Sequence, residues 1–328
     1  MNILITGAAG MIGRKLTHAL VDRGRLAGHR IDGLTLVDAV APALPTGVPG
    51  AALVADIAEP EAAAVLAQAE PDVIFHLAAV VSGEAEADVE KGYAVNLGAT
   101  AALLTAIAAR PGWRPRVVFA SSIAVFGAEA PGALPDPVPD GQAPSPLTSY
   151  GTQKAMAELM IDDLTRRGAL DGVSLRLPTI CVRPGPPNAA ASGFWSSILR
   201  EPLAGHEAVL PVEDDLEHWF ASPRAAVGFL IHAAEVDLGP LGPRRALNLP
   251  GVRASAGDFL AALEREAGPD AVARVRRAPD ADIRRIVEPW PRGFAPARAL
   301  SLGFAAEGSV AELIQAHLED ESRARPGS

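Results

Sequence analysis

Tyr150 and Lys154 stand four residues apart in SYGTQKA, a spacing that brings a phenol and an amine onto one helical face about a turn apart. A cation beside a phenol favours the phenolate, so the pair is a candidate proton-transfer unit near neutral pH, more so beside an oxidised nicotinamide. Ser121 and Ser122 end the apolar run RVVFASS. A serine hydroxyl at either position can hold the oxygen of an alcohol or carbonyl while tyrosine exchanges its proton. Asn96, in YAVNLGAT, carries an amide that can bond a nearby carbonyl and hold a relay water, or satisfy a core position.

These side chains need a frame, and the chain's periodicity supplies one. Residues 2–6 (NILIT) read as a buried strand and Met11 to Arg23 as a helix; a second strand runs from Ile31 to Val37 and ends at Asp38. Apolar segments at 71–79, 116–122 and 173–180 read as further strands, with helices over 89–110 and from Tyr150 onward. Strands alternating with helices imply an α/β fold, a Rossmann-type doubly wound parallel sheet.

Gly7, Gly10 and Gly13 lie in the first strand-to-helix turn, spaced G-x-x-G-x-x-G. Such glycines permit close approach of a pyrophosphate, and the helix N-terminus supplies amide donors and a favourable dipole. At the end of the second strand, Asp38 can accept both adenosine ribose hydroxyls and repel a 2′-phosphate, which favours NAD over NADP. Asp56, followed by Ile57, either approaches the adenine or caps a local Asx turn. His76 reads as a hydrogen-bonded structural histidine; Ala78 and Ala79 leave room for the nicotinamide end.

Together the glycine turn, HLAA at 76–79, VNLGAT, SSIAVFG at 121–127 and Y-x-x-x-K resemble the extended short-chain dehydrogenase/reductase family, which includes sugar epimerases and dehydratases. The resemblance covers almost the whole chain. It implies that Ser122, matched by S-x-x-V-F spacing to Phe126, is the catalytic serine beside Tyr150, Lys154 and Asn96. It also implies NAD contacts from Gly7, Gly10, Met11, Ile12, Gly13, Asp38, Asp56, Ile57, Leu77, Ala78, Ala79, Asn96, Tyr150, Lys154, Pro178 and Ile180. The segments from Val80 to Asp88 and from Leu177 to Phe194, with SSIAVFG and SYGTQKA, point to a branch that oxidises a short sugar acid.

On the substrate side Arg183 is a candidate carboxylate clamp, because its planar donors can grip two oxygens. Ser82 and Asn188 are further candidate contacts, with Ser122 and Tyr150 at the reacting oxygen. Where many family members carry an aspartate-rich pattern, this chain has Ser222-Pro223-Arg224, a departure that weakens a nucleotide-sugar reading. Residues 1–180 are expected to bind NAD and 181–328 to form mainly a smaller C-terminal substrate-binding lobe, with some segments returning to the large sheet.

The 328 residues carry a formal charge of −10 and no compact Lys/Arg run, so nucleic acid is not an expected partner. No apolar stretch suits a membrane span, the start lacks a secretory pattern, and the single Cys181 fits a reducing compartment; the cytoplasm is expected. No metal is expected. The helices around 93–110 and 150–167 have apolar faces suited to a homodimer. The alternative functions are a nucleotide-sugar epimerase or dehydratase, which returns NAD to its starting state, and a non-enzymatic NAD-binding regulator.

Overall fold

The structure is a computed structural model that describes residues 1–130, 132–185 and 192–324. Asn2–Thr6 (β1) is the buried strand its apolar run demands, and it feeds through the glycine turn into Met11–Arg23 (α1). Gly24 ends α1 in the left-handed conformation at φ 59°, where a Cβ would be unfavourable. The sheet continues with Gly33–Asp38 (β2), Gly50–Val54 (β3), Val73–His76 (β4), Arg116–Ser122 (β5) and Asp171–Leu177 (β6). Its seventh strand comes from far along the chain, at Ala246–Asn248, hereafter β9 because Thr179–Ile180 (β7) and Glu217–Ala221 (β8) precede it.

The strand order is β9-β6-β5-β4-β1-β2-β3, and every neighbouring pair is parallel. Order reverses between β1 and β4, which opens a crevice at the carboxyl ends of those strands. The expected doubly wound parallel sheet is therefore present. Its edge strands β3 and β9 carried weak sequence signals: β3 is exposed along its length and β9 has three residues.

Helix α2, Ser149–Arg166, follows the proline-rich loop and packs on β6. Thr148 starts it by accepting a hydrogen bond from the Gly151 amide at 3.0 Å, satisfying one of the orphan donors of the first turn. The expected helix over 89–110 is interrupted in type: Val89–Gly92 and Thr100–Ala108 are α-helical, and Tyr93–Ala99 between them is π-helical. Such a bulge commonly marks a place where a side chain is re-aimed toward a site.

The later chain is interleaved rather than set apart. Pro223–Glu235 (α3) buries Ala226, Phe229, Leu230 and Ala233 in the same core as Leu16 and Leu20 of α1. A second core gathers Trp195, Phe220 and Phe259, with ring centroids 4.7–5.2 Å apart, around a three-stranded sheet in which β8 pairs with β7 and Val252–Ser255. Among the described residues no helix is long and apolar enough to cross a membrane.

Candidate functional site

The crevice is a cavity of about 590 Å³ that begins at the glycine turn and ends at Trp290. Backbone packing explains the glycines. Gly7 sits at φ +75°, and a Cβ there would lie 2.7 Å from the Ala78 nitrogen; a Cβ on Gly13 would lie 2.2 Å from the Gly7 carbonyl oxygen. No side chain fits at either place without moving backbone. The turn thus offers a side-chain-free wall at the start of α1, the kind of cradle that accepts a dinucleotide pyrophosphate. Gly7, Gly10, Met11, Ile12 and Gly13 line the cavity there, and Leu77, Ala79, Pro178 and Ile180 line it farther along.

Asp38 stands beside this cradle at the end of β2, half-buried. One carboxylate oxygen accepts the Ala9 amide at 2.9 Å and the other the Val40 amide at 3.1 Å. Asp56 and Ile57 lie outside the cavity wall. Asp56 is exposed and caps its own turn by accepting from the Ala58 amide at 2.9 Å, and Ile57 is buried in the core with Val37 and Leu66. The structure thus shows Asp56 in its local turn and Ile57 in the core. Ala78 presses its backbone against Gly7 and is likewise off the cavity wall.

Ser122 and Tyr150 both line the cavity, and the Ser122 hydroxyl accepts the Ala124 amide at 3.1 Å. Strand alternation sends the neighbouring Ser121 to the other side, where its hydroxyl donates to Glu158 at 2.5 Å. Glu158 in turn takes a two-pronged contact from Arg176, at 2.8 Å and 3.0 Å, and Arg176 reaches Asn248 on β9 at 3.2 Å. The choice between the serines is thus one of register. Gly151 lets α2 begin pressed on the turn after β5, since a Cβ there would lie 2.0 Å from the Ala124 oxygen.

Lys154 is buried one turn below Tyr150. Its ammonium donates to the Ala120 carbonyl at 2.8 Å and lies 5.6 Å from the Tyr150 ring centroid. Burial lowers its pKa to about 7, against the opposing pull of Glu158. Desolvation also raises the Tyr150 pKa, and two neighbours oppose that rise: the Arg183 guanidinium and the Ser122 hydroxyl. Arg183 follows β7, donates to the Ile180 carbonyl and the Ser192 hydroxyl at 3.0 Å each, and lines the cavity, as does Ser82. Asn188 lies outside the described residues.

Asn96, in the π-helical segment, bonds a nearby carbonyl as its residue type allows. Its amide donates to the Val80 carbonyl at 3.2 Å and to Gln153 at 2.8 Å, and its oxygen accepts the Val80 amide at 2.9 Å. Its backbone carbonyl accepts from Thr100 at 2.9 Å. Asn96 is therefore a joint between the loop after β4 and α2. His76 continues this network, 2.7 Å from the Thr6 hydroxyl and 2.8 Å from that of Thr100, with its pKa lowered to about 3 by burial. It is neutral and structural.

Thr179 on β7 and His218 on β8 also line the cavity, and their side chains meet at 2.6 Å. They are 39 positions apart, and no local spacing signals their approach.

Residues 3–219 match the model of the NAD dependent epimerase/dehydratase family. The chain is 45% identical to D-erythronate dehydrogenase of Cupriavidus necator over 99% of its own length and all of that protein, and 39% identical to D-erythronate dehydrogenase of Haemophilus influenzae over 97% and 99%. It is also similar to the crystal structure of the nucleoside-diphosphate-sugar epimerase from Agrobacterium tumefaciens, at 54% identity and a TM-score of 0.95, covering 99% of this chain and 95% of that one.

Proposed function

The chain belongs to the NAD dependent epimerase/dehydratase family, and from that membership we propose that it is an NAD-dependent dehydrogenase that oxidises D-erythronate at C2 to 2-oxo-D-erythronate. One observation carries the C2 assignment: Arg183 lines the same cavity as the candidate base Tyr150. In a 2-hydroxy acid the carboxylate adjoins the reacting carbon, so a clamp beside the base selects C2. Tyr150 takes the C2 hydroxyl proton, Ser122 holds that oxygen, and Arg183 grips the carboxylate. Lys154, titrating near neutrality, carries the proton onward and orients the ribose; Asn96 holds the loop and helix in register.

Gly7, Gly10, Met11, Ile12 and Gly13 cradle the cofactor, Asp38 takes the adenosine ribose, and Leu77, Ala79, Pro178 and Ile180 enclose the nicotinamide end. Bound NAD supplies the acceptor for the hydride that leaves C2. The test is a stereochemically defined panel of C4 to C6 sugar acids with NAD or NADP, read by NADH formation and by product NMR. D-Erythronate with NAD should give the highest kcat/KM and a C2 ketone. Efficient oxidation of another acid removes the named substrate. Turnover of a nucleotide sugar without net NADH supports instead the epimerase reading, which the name of the 54%-identical structure favours. Inactivity on every substrate leaves the regulator.

The quaternary and cellular settings are part of the same proposal. On α2, Met156 and Leu159 are exposed, Leu159 by 66%, and Val89 and Tyr93 lie exposed on the adjoining helical segment. Such a patch supports a homodimer through the helices around 93–110 and 150–167. Light scattering should give a dimer mass for the wild type and a monomer mass for Leu159→Asp; a wild-type monomer at every concentration rejects it. The buried free thiol of Cys181 suits the reducing cytoplasm.

A further inference from the structure

Thr179 and His218 have no part in the chemistry above, yet they form one wall of its cavity with Pro291 and Trp290. The Thr179 hydroxyl lies 2.6 Å from His218 Nε2, and His218 Nδ1 lies 3.0 Å from the Pro291 carbonyl oxygen. Burial lowers the imidazole pKa to about 4, so the ring is neutral at pH 7 and carries one N–H. The Pro291 carbonyl can accept but not donate, so that hydrogen resides on Nδ1 and leaves Nε2 an acceptor. Thr179 then has one arrangement open to it. Its hydrogen goes to the ring, and its oxygen offers lone pairs alone. Trp290 and Phe220 pack on the imidazole, with centroids 5.0 Å and 5.5 Å away, and hold the ring in place.

We propose that Thr179, set as an obligate acceptor by His218, is a specificity subsite that receives the hydrogen of a substrate hydroxyl other than the reacting one. The inference rests on the sugar-acid reading of the cavity. It completes the complementarity that reading needs. Arg183 provides charge for a carboxylate, and Ser122 and Tyr150 handle the reacting oxygen. The remaining hydroxyl groups of a polyol acid need an acceptor, and Thr179 provides one. A substrate lacking the matching hydroxyl leaves that oxygen facing an apolar contact, and the cost of an unpaired polar group becomes discrimination. His218 is a positioning residue that acts through Thr179.

The test crosses enzyme variants with substrate analogues. Wild type and Thr179→Val are assayed with D-erythronate and with its 3-deoxy and 4-deoxy analogues. The wild type should prefer D-erythronate over one analogue by roughly tenfold, mainly in KM, and Thr179→Val should bring that ratio close to one. Thr179→Ser, which keeps the hydroxyl, should retain the preference. His218→Gln offers an acceptor and a donor and should keep most of it, whereas His218→Leu should lose it. NAD binding followed by fluorescence verifies that each variant is folded. An unchanged ratio in Thr179→Val, or equal loss on all three acids, overturns the subsite. Should the panel return another hydroxy acid, the same cycle is run with that acid and its deoxy analogues. Should no acid turn over, the functional reading fails by itself; calorimetry of D-erythronate binding to the NAD-loaded wild type and Thr179→Val then decides the subsite, and equal affinity or no binding rejects it.

Discussion

Tyr150→Phe should lower kcat by roughly a thousandfold, within the span that positioned acid–base groups contribute, and leave NAD affinity within a factor of about three. The substitution removes the exchangeable proton and keeps the aromatic volume beside Lys154. Tyr150 is half-buried, its partial desolvation resists ionisation, and Arg183 and Ser122 oppose that resistance. Arg183→Leu should accordingly move the rising limb of the oxidation pH profile to higher pH, because a phenol without its cation ionises later. Stopped-flow measurement of NADH formation and fluorescence titration of NAD separate the two effects. Tyr150→Phe turnover within about tenfold of the wild type would remove Tyr150 as the base.

The second large effect concerns folding. Glu158→Leu leaves the Arg176 guanidinium buried without its carboxylate, a change that costs about 3–5 kcal/mol when both partners are enclosed. Here the two side chains are 3% and 6% exposed. Urea denaturation should show that loss as a lower midpoint at unchanged slope. Combining Glu158→Leu with Arg176→Met should recover much of it, since no lone charge then remains. A single-variant loss below about 0.5 kcal/mol would mean that water reaches the pair. Because Glu158 also pulls the Lys154 pKa upward, its removal should let that pKa fall further below its value of about 7.

This network also shows where sequence reading stops. The glycine turn and the Tyr150–Lys154 pair were legible because local spacing alone dictates them: a turn that must admit backbone, and a helical repeat. Ser121 and Ser122 were not separable by type. Their difference is the phase of β5, and what reveals that phase is Glu158, 37 positions from Ser121. Asp56 followed the same rule in reverse, because an aspartate after a strand caps its own turn as readily as it reaches a ligand. Asn96 was found by its motif, but its partners, Val80 and Gln153, depend on a π-helical segment that composition does not announce. The pairing of Thr179 with His218 was not legible, because their meeting depends on β7 lying beside β8.

The return of β9 to the large sheet bears on how the protein is made. Arg176 and Asn248, joined by a hydrogen bond across β6 and β9, are 72 positions apart. A nascent chain that has emerged only as far as β6 holds the glycine turn, Tyr150 and Lys154, yet its sheet ends in an unpaired strand. The face of α1 that α3 later covers is bare as well. An open strand edge beside uncovered apolar surface is a template for aberrant pairing and a target for chaperones. The first half of the large sheet is thus encoded early but finished late, and a ribosome pause before residue 248 would prolong its most vulnerable interval.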